Sequence, residues 1–119
     1  MLESEEWELD FKWLEGRHKI KDMLNLDKLP TLEGVLFLIG MQELGRSHGD
    51  FSKEEKQDLM HIAVCRLLSY DGYYELDGYD EEGWPHWIQL GVPPVSGLTG
   101  QEKLLKAKVL EYIQHLQED

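Results

Sequence analysis

The chain has 119 residues, of which 41% are hydrophobic and 30% are charged, a balance typical of one folded domain over residues 1–119. Its 24 acidic residues against 12 Lys and Arg give a formal charge of −12. That charge argues against nucleic acid and against an anionic membrane as partners, because both need a basic protein surface. The one cysteine, Cys65, excludes a scaffold of internal disulfides.

The sequence carries no apolar segment typical of targeting or membrane insertion. Its longest apolar run has five residues, Val35 to Ile39, whereas a secretory signal needs ~7–15 and a membrane span ~20. The first residues are acidic rather than basic. We therefore expect a cytoplasmic protein.

The first predicted helix spans residues 5–25, with Ser4 as its N-cap and Gly16 as a place where it could split in two. Its apolar residues recur at helical spacing and predict the buried face. They are Trp7, Phe11, Leu14, Ile20, Met23 and Leu24.

The second predicted helix spans residues 31–45. Thr31 fits its N-cap, and Gly45 fits the left-handed position after its end. A strand over residues 35–39 is the competing interpretation, which periodicity alone does not exclude. The length of the segment and the cap favour the helix.

Two further helices are predicted over residues 52–70 and 99–117. Each begins with a capping-box pattern, Ser52 with Glu55 and Thr99 with Glu102, in which each side chain bonds the backbone amide of the other residue. The apolar residues of the first of these helices recur at helical spacing. They are Leu59, Met60, Ala63, Val64, Leu67 and Tyr70.

The segment 71–91 differs from the rest of the chain. Asp77-Gly78 and residues 80–83 are rich in turn formers, and residues 73–76 and 84–90 have strand-like composition. We expect a hairpin or an ordered loop that packs on the helices, because a lone hairpin is marginally stable in water. The predicted fold class is therefore mainly α, a compact helical domain of four to five helices with a short β-hairpin or ordered loop at about 71–91.

The same segment concentrates acids and aromatic residues. No Lys or Arg lies between Leu67 and Glu102, this stretch carries −7 of the formal charge, and six of the 12 aromatic residues lie between Tyr70 and Trp87. Acids beside rigid aromatic rings are typical of a surface that docks a cationic partner. The alternative is that the aromatic residues attach a long loop to the core and the acids keep it hydrated. The predicted partner-binding residues are Tyr73, Tyr74, Glu75, Asp77, Tyr79, Trp84, His86 and Trp87.

A metal site is a second possibility. Asp58 and His61 lie three residues apart on one predicted helix, and Glu111 and His115 lie four apart on another, so the four could meet between helices. The paired Glu-x-x-His motifs of such sites are absent, and both EF-hand frames fail at their first and last ligands. Helical geometry also places Asp58, His61 and Cys65 away from the centre of the apolar face. We therefore predict no metal and no cofactor.

Motifs of nucleophilic catalysis and phosphate binding are also absent, since the sequence contains neither Gly-x-Ser-x-Gly nor a phosphate-binding Gly-rich loop ending in Lys. His48 and Asp50 could do acid–base chemistry in the loop 46–50. A plain connector is the simpler interpretation of that loop.

Three segments together resemble a family of small uncharacterised proteins from Bacteroidetes-type bacteria. They are residues 32–45 (LEGVLFLIGMQELG), 71–80 (DGYYELDGYD) and 83–87 (GWPHW). The resemblance implies a stand-alone bacterial cytosolic protein. It implies no activity and no functional residue.

The sequence leaves two functions from different classes. The first is a non-enzymatic cytosolic interaction protein, a homo-oligomer whose segment 71–91 docks a protein or peptide with a basic surface. The second is a small metal-dependent enzyme that uses helix-borne Asp, His and Glu ligands. Mimicry of nucleic acid by the acidic surface ranks last, because the acids cluster in one loop rather than along a phosphate-like track.

Overall fold

The computed structural model describes the backbone of residues 2–46 and 49–118 and the side chains of residues 7–46 and 49–118. The described chain forms four helices and one antiparallel hairpin, so the mainly α fold class is confirmed. These elements are α1 (Leu2–Leu24), α2 (Leu32–Leu44), α3 (Lys53–Ser69), β1 (Tyr74–Tyr79), β2 (Pro85–Gln89) and α4 (Gly97–Glu118). None of the described helices has the length and apolar character needed to cross a membrane.

The chain divides into two compact units. One unit contains α1 and α4, and the other contains α2, α3 and the hairpin. The single domain over residues 1–119 stays a prediction.

In the first unit, α1 is one continuous helix that begins at Leu2. The predicted cap at Ser4 is therefore wrong, because this residue lies inside the helix. The predicted split at Gly16 is wrong as well. Gly16 instead lets α4 approach closely, since a Cβ at this position would lie 2.8 Å from the Leu110 side chain.

The buried face of α1 is not the predicted one. Trp13, Gly16 and Ile20 are buried, whereas Trp7 and Phe11 are exposed. The predicted burial is also wrong for Leu14, Met23 and Leu24, which are exposed, and right for Ile20. Both sets of residues have helical spacing, and the set that is buried is the one on the side of Gly16, where Leu110 of α4 approaches α1.

The helices α1 and α4 run parallel. Lys106 lies over the Trp13 ring at 5.9 Å, and Leu110 and Ile113 lie beside Gly16. Contacts therefore advance in the same direction along both helices. The predicted capping box at Thr99 is wrong, because α4 begins two residues earlier, at Gly97.

In the second unit, α2 packs on α3. Val35, Leu36 and Ile39 are buried on α2, and Gly40 lies directly against the backbone of Leu59. Residues 35–39 lie in a helix and not in a strand. The helix α2 ends as predicted and is followed by Gly45 at a φ of 81°, a conformation that glycine adopts without steric cost.

The helix α3 is the best predicted element. Ser52 and Glu55 make both bonds of the capping box, at 3.1 and 2.9 Å. Its buried face is wider than predicted, because Ile62, Cys65 and Leu68 are buried as well as Leu59, Ala63 and Leu67. A helix buried over such a wide face has room for both α2 and the hairpin, and both contact it.

Candidate partner-binding groove

The hairpin turn is organised by Asp80. Its Oδ1 accepts hydrogen bonds from the backbone amides of Glu82 and Trp84, at 3.0 and 2.9 Å. Its backbone closes the turn, because the amide of Gly83 donates to the Asp80 carbonyl oxygen and the Asp80 amide donates to that of Trp84, both at 3.0 Å. Gly83 has a φ of 88°, which completes a tight turn ending in a left-handed residue. The turn fixes the position of Trp84.

The same carboxylate binds His86 on β2. The ring Nε2 of His86 lies 3.0 Å from Asp80 Oδ2, and an ionised carboxylate can only accept, so the imidazole donates. This hydrogen bond, followed by the one from the Trp84 amide, lowers the pKa of Asp80 below its ordinary value of 3.8. Asp80 is therefore negatively charged at neutral pH.

The turn-forming residues Asp77 and Gly78 do not form a turn in the structure. The strand β1 continues through them to Tyr79, and the pairing of Leu76 with Trp87 and of Gly78 with His86 leaves Asp77 as the extra residue of a bulge. Burial alternates along the start of β2, where Pro85 and Trp87 are more buried than His86 and Ile88. Trp87 therefore lies on the less exposed face of the hairpin.

Trp87 is already in contact with a cation of the same chain. The Arg66 guanidinium lies 4.8 Å from its ring centroid, and Arg66 Nε donates to Glu43 Oε1 at 2.7 Å. The Trp87 Nε1 atom is buried and has no hydrogen-bond partner within the described part of the chain. Trp87 thus anchors the hairpin to α3.

The first turns of α3 face the hairpin. Glu55, Asp58 and His61 follow one another at intervals of three residues, which places them on one side of the helix. The His61 ring meets Tyr74 of β1 edge to face, at 6.3 Å between centroids. This contact joins the polar side of α3 to the hairpin.

A groove of about 560 Å³ lies between these two elements. Its lining contains four carboxylates, two imidazoles and two indoles, and none of these lining residues is Lys or Arg. The full lining is Glu55, Asp58, His61, Ile62, Asp80, Glu82, Trp84, Pro85, His86 and Trp87. Its volume lies in the range of pockets that bind small molecules or single side chains. With neutral imidazoles, the groove carries a formal charge of −4.

The structure separates the eight predicted partner-binding residues into three groups. Trp84, His86 and Trp87 line the groove. The exposed residues Glu75, Asp77 and Tyr79 and the half-buried residues Tyr73 and Tyr74 do not line it.

Sequence reasoning did not assign the other lining residues to a partner site. Asp80 and Glu82 lay within the acidic segment, and Asp58 and His61 were considered only as metal ligands. The spacing of Glu55, Asp58 and His61 was a usable signal that they share one side of α3. Nothing in the sequence places that side next to the hairpin.

The four candidate metal ligands belong to different units, Asp58 and His61 to that of the hairpin and Glu111 and His115 to that of α1 and α4. Glu111 forms an ion pair with Lys108 at 3.0 Å, and its Oε1 lies 3.8 Å from Nε2 of His115. Among the side chains of residues 7–46 and 49–118, no three His, Cys, Asp or Glu residues form a cluster that could hold a metal ion. His48 lies outside the described residues.

The prediction that Cys65 lies away from the centre of the apolar face is wrong. Cys65 is fully buried, and its Sγ lies 3.5 Å from the Nε2 of His61. Burial raises the pKa of the Cys65 thiol to about 11. The side chain therefore stays a neutral thiol at physiological pH.

Comparison of the chain with protein-family models, with curated proteins and with solved structures finds no match. The resemblance to a Bacteroidetes-type family stays a prediction.

Proposed function

We propose that the groove between α3 and the hairpin docks a cationic segment of a partner protein, and that the protein is a non-enzymatic interaction protein of the cytoplasm. The observation that carries the proposal is the composition of the groove lining. Four carboxylates, from Glu55, Asp58, Asp80 and Glu82, surround one concave surface without a Lys or Arg among the lining.

Electrostatics favours a basic occupant of this groove. Like charges that share a concave surface with low-dielectric walls reinforce one another and attract ions of the opposite sign. An arriving Lys or Arg side chain relieves the repulsion among the carboxylates, whereas an acidic segment increases it. Complementary charge of this kind raises the association rate and selects the partner.

The aromatic rings favour Lys or Arg over a simple metal cation. Trp84 is half-buried in the groove, and a guanidinium or ammonium group binds the face of an indole ring. The protein already contains one such contact, between Arg66 and Trp87. We infer that Trp84 makes the equivalent contact with the partner, while Trp87 holds the hairpin in place.

Peptide binding tests the proposal. We would titrate the full-length protein with a short Lys- and Arg-rich peptide, follow binding by isothermal titration calorimetry, and use the same peptide with Glu at the basic positions as the negative control. The double variant Asp58→Asn and Glu82→Gln removes two groove charges while sparing Glu55 and Asp80, which hold the local fold. We expect its Kd to rise about tenfold at low salt.

A matched variant is available on the same hairpin. Glu75→Gln with Asp77→Asn removes the same net charge outside the groove, and we expect its Kd to change by less than about twofold, because these exposed charges do not line the groove and single exposed pairs contribute little. Trp84→Ala should weaken binding at high salt as well as at low salt. Equal losses in the groove and control variants would show that only net charge acts, and no binding of the basic peptide would reject the proposal.

A further inference from the structure

Two of the four carboxylates in the groove are available to an occupant. Glu55 Oε1 accepts the backbone amide of Ser52 at 2.9 Å, and both oxygens of Asp80 accept hydrogen bonds within the hairpin. Within the described part of the chain, no hydrogen bond or ion pair uses the carboxylate of Asp58 or of Glu82. Asp58 lies on α3 and Glu82 in the hairpin turn, so the available carboxylates line the groove from two different elements.

The two indole rings of the groove are not equivalent. The ring of Trp87 already binds the Arg66 guanidinium, which lies 4.8 Å from its centroid. Among the described side chains, none makes a ring or cation contact with Trp84. The groove therefore offers one indole face to an occupant, whereas the aromatic cages that bind methylated ammonium groups surround the cation with several rings.

His86 adds a hydrogen-bond acceptor to the groove lining. Its Nε2 donates to Asp80 Oδ2 at 3.0 Å, and a neutral imidazole that donates through one nitrogen accepts through the other. The Nδ1 atom of neutral His86 is therefore an acceptor, on a side chain that is 61% exposed. The groove thus presents acceptors that suit an occupant with several N–H donors.

A guanidinium group matches these features better than an ammonium group does. It is planar, so it can lie flat on a single indole ring, and its five N–H donors can reach acceptors on two sides at once. An ammonium group is a compact, strongly hydrated charge with three donors. It gains less from one aromatic face and from carboxylates that belong to separate elements.

The chain already binds one of its own guanidinium groups in this way. Arg66 lies over the Trp87 ring while its Nε donates to Glu43 Oε1 at 2.7 Å. This arrangement combines an indole ring from β2 with a carboxylate from α2. The groove offers the same combination to an occupant, with Trp84 as the indole ring and two available carboxylates beside it.

We propose that the groove selects an arginine side chain of the partner segment, with the guanidinium stacked on Trp84 and hydrogen-bonded to Asp58 and Glu82. This inference rests on the proposed function of the groove and adds which basic side chain is bound. A segment whose basic residues are all lysine binds more weakly. Methylation of the arginine also weakens binding, because it keeps the charge but blocks bidentate hydrogen bonding.

Three peptides of equal length and equal charge test the proposal. Their basic positions are all Arg, all Lys or all asymmetric dimethylarginine, and the full-length protein is titrated with each by isothermal titration calorimetry. We expect the Arg peptide to bind about tenfold more tightly than either of the other two. The ratio should persist at about 1 M salt, where the Debye length falls to ~3 Å, because the three peptides carry the same charge.

Two variants test whether the preference depends on the indole ring of the groove. Trp84→Leu keeps an apolar side chain and removes the indole face, and we expect it to bring the Arg and Lys peptides within about twofold of each other. The matched control Tyr79→Leu removes an exposed ring of the same hairpin outside the groove and should keep the tenfold ratio. Circular dichroism checks that both variants keep their fold.

Proton NMR of the Arg peptide gives a direct signature of stacking. The ring current of an indole shifts protons that lie over its face upfield. We expect the δ-CH2 signal of arginine to move upfield when the natural chain is added and to stay near its starting position when Trp84→Leu is added.

The outcomes separate this inference from the proposed function. No binding of any of the three peptides would reject both. Arg and Lys peptides with Kd values within about twofold of each other would overturn the inference and leave a groove that recognises charge alone. The inference would also fail if dimethylarginine bound as tightly as arginine, if the preference survived in Trp84→Leu, or if free L-arginine, whose own carboxylate the groove repels, bound as tightly as the Arg peptide.

Discussion

Replacement of Gly40 by alanine should destabilise the unit of α2, α3 and the hairpin more than any surface substitution. A Cβ at this position would overlap the carbonyl oxygen of Leu59 and lie 2.6 Å from its carbonyl carbon. These are backbone atoms of α3, so no side-chain rotation removes the overlap. An ordinary contact needs 3.4 Å or more. The carbonyl carbon alone requires α2 and α3 to separate by about 0.8 Å at this point, and the carbonyl oxygen, which lies closer still, requires more.

The cost can be estimated from this separation. A gap of 0.5–1 Å removes roughly a quarter to a half of the attraction between facing atoms, and the atoms here belong to the core of α2 and α3. Overpacking costs ~1–3 kcal/mol and more when backbone must move, so we assign about 3–4 kcal/mol. The higher helix propensity of alanine offsets about 1 kcal/mol of this cost. The expected net loss of unfolding free energy is about 2–3 kcal/mol.

Urea denaturation followed by far-UV circular dichroism measures this loss. Gly16→Ala in α1 is the matched control, because its Cβ would meet the end of the Leu110 side chain at 2.8 Å, and that side chain can rotate. We expect a change within about 1 kcal/mol of zero for the control. A Gly40→Ala protein as stable as the natural chain, or more stable than the control variant, would refute the steric argument.

Three further predictions concern single side chains. Ser52→Ala should cost about 1 kcal/mol of unfolding free energy in urea, because it removes the side-chain bond to the first turn of α3, whereas Ser52→Thr should cost only a few tenths. Cys65 should resist thiol reagents at pH 8 until the protein is denatured, and rapid labelling of the native protein would contradict its burial. Since its pKa is raised from 9.0 to about 11, stability should be complete below pH 9 and fall as pH rises towards 11. His86→Ala should raise the pKa of Asp80, measured by carbon NMR of the carboxyl group. In the natural chain, the stabilisation of the turn by Asp80 should be present above its unfolded pKa of 3.8 and be lost as pH falls through the lowered folded value.

Local patterns predicted those elements whose signals lie within a few residues of one another. The capping box at Ser52 and the glycine at Gly45 were sufficient to bound α3 and the end of α2, because a cap acts within one helical turn. The same Ser/Thr-x-x-Glu pattern at Thr99 did not predict the start of α4. There the chain enters the helix already at Gly97, at a φ of 74°, and the pattern lies inside it.

The candidate site was predictable only in part. The composition of residues 71–91 shows the acidic and aromatic character of the hairpin, and Trp84 and His86 were identified from it. The contribution of Glu55, Asp58 and His61 was not, because these residues precede the hairpin by some twenty positions and reach it only through the packing of β1 and β2 on α3. The direction of Trp87, towards Arg66, depends on the same packing.

The sequence by itself determined that α1 is a helix, because its apolar residues recur at helical spacing. It did not determine the buried face, since the predicted face includes Trp7 and Phe11 and leaves out Trp13. Periodicity gives the faces of a helix and contains no information on which face meets a neighbour. Only the tertiary structure decided that question, because burial depends on the surfaces of both helices together. Trp13 and Ile20 are buried on the side where Gly16 lies beside Leu110 of α4, whereas Trp7 and Phe11 are exposed.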